Sequence, residues 1–337
     1  MKQWTLLALA CCSAVSMADV EVQPYIVNGT SASVDTFPSM ASLFIDATDF
    51  GGHYSSGSYC GATILSDRYI LTAAHCIYGN DTAQLFTVVV PQLQNESDFP
   101  LGSIQKSRVS EVYYRSDYVN STNVLLPNDV AILKLESSLN IDTVNDIAKF
   151  ATNENYRSSS SEFVAVGHGN IRSGVDGNTN LLKTDLDYVV NATCANVFYA
   201  GSSLTEKQIC FDGDFSASTG LSNATCQGDS GGPVYWNDGG TYKQVGLTSF
   251  GPTTCGDPTA NVTSVFTEIT DYKGWIDSVV SGNEIPKFVA TDTQRQTFAD
   301  SGGLSTASSG SGGGGGSLPL WSVFALGFIG LFRKQQR

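Results

Sequence analysis

The amino-acid sequence predicts an all-β fold for residues 26–281 of the 337-residue chain. Short runs rich in β-branched and aromatic residues, Gly, Asn, Asp and Ser clusters between them, and only one stretch of helical period carry that prediction. In chain order the candidate strands are 62–65 (Ala-Thr-Ile-Leu), 69–72 (Tyr-Ile-Leu-Thr), 86–90 (Phe-Thr-Val-Val-Val) and 130–135 (Val-Ala-Ile-Leu-Lys-Leu). They continue with 163–166 (Phe-Val-Ala-Val), 244–249 (Gln-Val-Gly-Leu-Thr-Ser) and 264–267 (Ser-Val-Phe-Thr). Strands this short and this spaced suit a β-sandwich or barrels rather than βαβ units. Residues 271–280 read as a helix, with Trp275, Ile276, Val279 and Val280 on one face and Asp271 near its start. No internal repeat is evident, so the region is either one large β unit or two similar halves. A hydrophobic content of 41% supplies enough apolar surface for a buried core and excludes a wholly disordered chain.

Charge narrows the function classes. The 32 acidic residues outnumber the 18 basic ones, a net charge of -14, which repels phosphate backbones and argues against nucleic-acid binding. Lys2, Arg333, Lys334 and Arg337 lie outside the central region, flanking an apolar run at each end. At the N-terminus, Lys2, the apolar stretch 6–15 and the small residues Ser16, Met17 and Ala18 follow the order of a secretory signal peptide, 1–18, cleaved after Ala18. A lipid-modified Cys11 fits less well, because Ala8, Leu9 and Ala10 make a poor lipid-attachment box.

At the other end, 282–317 reads as a Gly/Ser-rich linker, and 318–337 as a short apolar helix with a basic terminus. The apolar residues 318–332 are short for a membrane span, yet Trp321 and the Arg333-Lys334 pair match interfacial and positive-inside anchors. This order resembles the GlyGly-CTERM sorting signal of bacterial exported proteins, which implies an intramembrane rhomboid-type protease as a partner and type II secretion. The expected location is the medium or cell surface, reached through the periplasm. With Cys11 and Cys12 leaving in the signal, six cysteines remain, an even number suited to disulfides in an oxidising compartment.

Three motifs carry the chemistry: Leu71-Thr72-Ala73-Ala74-His75-Cys76, Asn128-Asp129-Val130-Ala131-Ile132-Leu133 and Cys226-Gln227-Gly228-Asp229-Ser230-Gly231-Gly232-Pro233. In content and order they resemble the His, Asp and Ser signatures of the trypsin/chymotrypsin family of serine endopeptidases. The resemblance implies two six-stranded antiparallel β-barrels with a C-terminal helix, a catalytic triad of His75, Asp129 and Ser230, and an oxyanion hole from the Gly228 and Ser230 amides. That family is the type case of triad catalysis, so these roles are carried over from it. The residue types suit the task. A serine hydroxyl is a weak nucleophile at neutral pH, an imidazole titrates near that pH, and glycines let the backbone turn tightly beside the nucleophile. Isolated histidines such as His53 and His168 read as structural or solvent-facing.

The same resemblance extends to activation, pairing and specificity. Ile26-Val27-Asn28-Gly29 is similar to the family's mature N-terminus, although Asn28 stands where Gly is more usual. Residues 19–25 would then be a propeptide, and cleavage after Tyr25 would free an Ile26 ammonium to pair with Asp229. The implied disulfides are Cys60 with Cys76, Cys194 with Cys210 and Cys226 with Cys255. The implied pocket has Ala224 at its base and Gly251 and Ser264 on its walls, while Ser249, Phe250 and Gly251 pair with substrate backbone. An uncharged base offers no counter-charge to Arg or Lys, so cleavage after aromatic or apolar residues is expected, with small residues as the alternative. Tyr25 before the activation bond points the same way. No cofactor, metal or nucleic acid is expected, and the protein is expected to be a monomer acting on proteins or peptides. A non-catalytic, membrane-tethered binding protein on the same fold is the competing class.

Overall fold

The structure is a computed structural model that describes residues 26–176 and 179–304. The expected signal peptide, propeptide and apolar tail lie outside the described residues. Twelve strands form two closed antiparallel barrels. The first contains β1 (Met40–Ile45), β2 (Cys60–Ile64), β3 (Tyr69–Thr72), β4 (Thr87–Pro91), β5 (Ser107–Tyr114) and β6 (Ala131–Leu135). The second contains β7 (Phe163–Gly167), β8 (Leu182–Val189), β9 (Gln208–Asp212), β10 (Pro233–Asp238), β11 (Thr241–Phe250) and β12 (Ser264–Glu268). Around the first ring the order is β1-β2-β3-β6-β5-β4, and β7-β8-β9-β12-β11-β10 repeats that connectivity around the second. The two-halves alternative therefore holds, without a sequence repeat, because a strand needs only the right alternation of apolar positions and not a particular string.

Each barrel is filled by inward side chains. Leu43, Ile64, Ile70, Val89, Val112 and Leu133 belong to the first core. Phe163, Ile209, Phe211, Val234, Val245 and Phe266 belong to the second. Fully burying a side chain of this size contributes about 1.5 to 3 kcal/mol. Several strands that the apolar-run reading passes over are half-solvated. In β8, Leu182, Thr184 and Leu186 are buried while Asp185 and Asp187 are exposed, a period of two interleaved with charge. β5 has the same mixed character, Ser-Arg-Val-Ser-Glu-Val-Tyr-Tyr.

The expected helix at 271–280 begins as a 3-10 turn, Ile269–Tyr272, and continues as an α-helix, Lys273–Val280. Ile276 and Val279 are buried in a cluster with Tyr113 and Ile132 of the first barrel and Leu247 of the second. The helix thus pins the end of the second barrel to the flank of the first. Three disulfides brace the loops: Cys60–Cys76, Cys194–Cys210 and Cys226–Cys255.

The chain does not become a tether at residue 282. Phe288–Val289 pairs antiparallel with Val112 and Glu111 of β5, and Asp292–Asp300 is a helix. Thr291 and Gln294 cap that helix reciprocally, and its Arg295 is only 1% exposed. This segment lacks hydrophobic periodicity because it docks through separated anchors, Phe288, Arg295 and Phe298, rather than through a continuous apolar face. Among the described residues no helix is long and apolar enough to cross a membrane.

Candidate active site

Strand pairing brings His75 and Asp129 to one end of the first barrel. Thr72, the last residue of β3, lies opposite Ala131, the first of β6, so the residues after one and before the other emerge together. His75 sits in the 3-10 turn Ala74–Cys76. Its Nδ1 is 2.7 Å from Asp129 Oδ2, and its backbone N–H donates to Asp129 Oδ1 at 2.8 Å. Asp129 is fully buried and accepts a third bond, from Ser249 Oγ at 2.6 Å, while its carbonyl accepts from Thr267 Oγ1 at 2.9 Å. An ionised carboxylate accepts only, so the imidazole places its proton on Nδ1 and leaves Nε2 as the basic nitrogen. Burial opposes protonation of His75, but the charge of Asp129 and its hydrogen bond outweigh this and raise the pKa above the ordinary histidine value.

Ser230 comes from the second barrel, just before β10, and is stitched to the first. Its carbonyl accepts from Gly61 N–H of β2 at 2.8 Å. A Cβ on Gly231 would collide with Thr72 Oγ1 and lie 2.7 Å from the Gly61 carbonyl, so only glycine allows this approach to the first barrel. Among the described residues the polar partners of His75 are Asp129 and, at 3.9 Å from Nε2, Cys76 Sγ, and Ser230 Oγ forms no hydrogen bond to the ring. Gly228 has φ of 100°, a conformation reserved for glycine. Among the described residues, the Gly228 and Ser230 amides have no acceptor, whereas the amides of Asp229, Gly231 and Gly232 bond to the carbonyls of Cys226, Thr248 and Asp229.

The Asp229 carboxylate lies close against Gly167 and Gly169, where a side chain would collide with it. Its oxygens accept from Gly169 N–H at 2.9 Å and Cys226 N–H at 2.8 Å, and among the described residues it forms no ion pair. Burial pushes its carboxyl up to about 7, against the smaller opposing effect of the two amides. Ile26 is fully buried, and Val27 packs with Ala224 and the Cys226–Cys255 bridge. Ile26 is still joined to Tyr25, so its nitrogen carries no ammonium to neutralise Asp229.

A buried acid that the sequence did not reveal lies nearby. Glu96 is 4% exposed and accepts from Ser58 N–H at 2.7 Å. Burial raises its carboxyl to about 7, the Ser58 bonds oppose this, and the charges of Asp176 and Asp229 add to it. Both carboxyls favour the protonated form when folded, so the unprocessed chain should lose stability as pH rises from the carboxylate range through about 7. His75, raised as well, acts in the same direction. We expect the thermal midpoint of unprocessed Ser230→Ala protein to be lower at about pH 8 than at about pH 5, and cleavage after Tyr25 to flatten that slope by supplying a cation to Asp229. Equal slopes before and after cleavage would contradict the pairing.

The expected pocket residues lie along one seam. Ala224 is fully buried and bridges to Val27. Ser264 Oγ accepts from Thr225 N–H and Oγ1–H, both at 3.0 Å, tying the pocket wall to the residue after its base. A Cβ on Gly251 would meet the Thr263 carbonyl at 2.8 Å. Phe250 stacks edge-on against Phe198 at 5.4 Å. Ser249, expected only on the substrate-pairing strand, also holds Asp129, a role that depends on β11 meeting the first barrel and has no local sequence signal. His168 is buried with Nδ1 3.4 Å from Ser42 Oγ, and burial lowers its pKa to about 4, so it is a neutral structural group; His53 is exposed. Among the described residues, the one cluster with metal-donor geometry is Cys60, His75 and Cys76, and its two sulfurs are bonded to each other.

Two closed barrels with these side chains at their seam define the chymotrypsin-like fold. A family model described as Trypsin matches residues 26–276. The chain is 29% identical over 270 residues to chymotrypsin-like elastase family member 1 of Bos taurus, covering 78% of this chain and 92% of that protein. It is 28% identical to trypsin-1 of Astacus astacus, covering 74% and 98%. Among solved structures it is similar to neuropsin, a serine protease expressed in the limbic system of mouse brain, with a TM-score of 0.60 at 22% identity over 76% of this chain and all of that one. The chain belongs to the trypsin family of serine endopeptidases.

Proposed function

We propose that the protein is a secreted endopeptidase, made as a zymogen, that cuts after aromatic or apolar residues through an acyl-enzyme. The observation that supports this most is the buried Asp129 holding His75 Nδ1 at 2.7 Å beside the glycine-framed Ser230. Ser230 Oγ gives its proton to His75 Nε2 as it attacks the carbonyl carbon, and the oxyanion takes the Gly228 and Ser230 amides. His75 then protonates the departing amine, and water repeats the sequence in reverse on the acyl-enzyme. The acid limb of the rate falls above the ordinary histidine pKa because His75 must be neutral. The alkaline limb follows the Ile26 ammonium, whose intrinsic pKa is about 8. Among the described residues the buried Asp229 forms no ion pair, which is the reason to expect activation by cleavage after Tyr25.

For specificity, the uncharged Ala224 supports uncharged side chains, and Tyr25 at the activation bond fits the same pocket, which allows self-activation. Small residues are the second reading, favoured by the resemblance to proteins named elastases. Export, removal of the tail by a rhomboid-type protease and a cell-surface or extracellular destination remain part of the proposal on the sequence of the two ends. A cleavage-site profile of the secreted protein, with mass spectrometry of its termini, tests these points together. We expect an N-terminus at Ile26 and cuts after Phe, Tyr or Leu. Cuts after Ala, Val or Gly select the second reading, and cuts after Arg or Lys overturn both.

A further inference from the structure

The segment after the family-matched region, which ends at residue 276, is built into the first barrel at a specific place. Lys287 and Ala290 N–H groups donate to the Val112 and Ser110 carbonyls, extending β5 sideways. Arg295 then reaches inward: Nε donates to the Leu85 carbonyl and Nη2 to the Val109 carbonyl, both at 2.7 Å, while Nη1 is 2.7 Å from both Asp292 Oδ1 and Glu136 Oε1. A fully buried guanidinium satisfied by two main-chain carbonyls and two carboxylates is a rigid clamp. Leu85 lies in the helix Asp81–Phe86, which follows the His75-Cys76 turn. The Phe298 ring lies tilted against Phe86 at 5.8 Å, and Phe86 meets Phe50 edge-on at 5.8 Å; Phe50 ends the turn Thr48–Phe50 in the loop that leads to Cys60. Ala290, Phe298 and Leu304 share one apolar cluster with Ala47, Leu85 and Phe86.

Of the two segments held in this way, one leads along the chain into Cys60 and the other follows Cys76, the two ends of one disulfide. Cys76 Sγ is 3.9 Å from His75 Nε2. That nitrogen must protonate the departing amine, so the part of the substrate beyond the cut bond passes over the bridge and the loops beside it. We propose that residues 287–304 are a strap that sets this leaving-group rim, with Arg295 as its positioning residue. The inference rests on the endopeptidase reading above.

The test uses the full chain carrying Arg295→Met or, as a milder change, Phe298→Ala, and two substrates with the same residues up to the cut bond. One ends in a small chromogenic amide and the other continues for several residues. We expect kcat/KM for the extended peptide to fall about tenfold, through KM, while the small amide changes by less than about twofold. Arg295→Lys should recover part of the loss, and hydrogen exchange of residues 81–86 should quicken in Arg295→Met. An equal loss on both substrates, or faster exchange without any loss on the extended peptide, overturns the strap. Wild-type protein that cuts neither substrate instead overturns the endopeptidase reading.

Discussion

Ser230→Ala is expected to lower kcat by about 10⁶-fold and to abolish labelling by an organophosphonate, with no loss of folded protein. The size follows from the role. Without Oγ no acyl-enzyme forms, and what remains is the water reaction assisted by the two amides. The fold should tolerate the change because Ser230 is held through its backbone, by the bond from Gly61 N–H to its carbonyl, and among the described residues its hydroxyl makes no hydrogen bond. Far-ultraviolet circular dichroism and the thermal midpoint check the second half. Retention of full activity would mean that another group is the nucleophile, and a binding protein without catalysis would show neither labelling nor turnover in the unmutated chain.

Asp129→Asn is expected to lower kcat by about 10⁴-fold, the magnitude of the same exchange in the type-case proteases. Asp129 accepts three hydrogen bonds, two from His75 and one from Ser249. An amide offers one acceptor oxygen and two N–H groups, so at least one of these donors meets another donor. If the amide N–H faces Nδ1, the imidazole must carry its proton on Nε2, and the base points its hydrogen at Ser230. The charge that raises the His75 pKa also goes. The acid limb of the surviving activity should therefore move to lower pH. A pH-rate profile of the variant checks this, and an unshifted limb with an intact rate would remove Asp129 from the mechanism. Ser249→Ala should have a much smaller effect, since it removes one of three donors and leaves the charge.

Much of the site is legible in the sequence because its chemistry needs particular residues in short strings. The Cys226–Pro233 motif is dense in glycine for a physical reason: Gly228 takes a positive φ, and Gly231 presses against Thr72 and Gly61. Strands such as 69–72 and 163–166 stand out since they are buried on both faces. The half-exposed β5 and β8 do not, because charged and polar residues between the buried ones hide a two-residue period from a search for apolar runs. Glu96 has no motif at all. The helix Asp292–Asp300 had one signal, the Thr291 and Gln294 capping pair, but a polar helix held by a single buried arginine does not look like core.

From the sequence alone come the all-β fold class, carried by short apolar runs, and the candidate catalytic residue types in their order along the chain. Those follow from local rules: alternation, turn chemistry and the geometry that a nucleophile loop demands. Tertiary structure decided what depends on the meeting of distant segments. It showed that the runs close into two barrels of the same connectivity, that Ser249 from the second supports Asp129 of the first, and that among the described residues the buried Asp229 forms no ion pair. It also turned the start of an expected linker into a strap, because Arg295 finds the Leu85 and Val109 carbonyls only after the barrel has brought those two segments side by side.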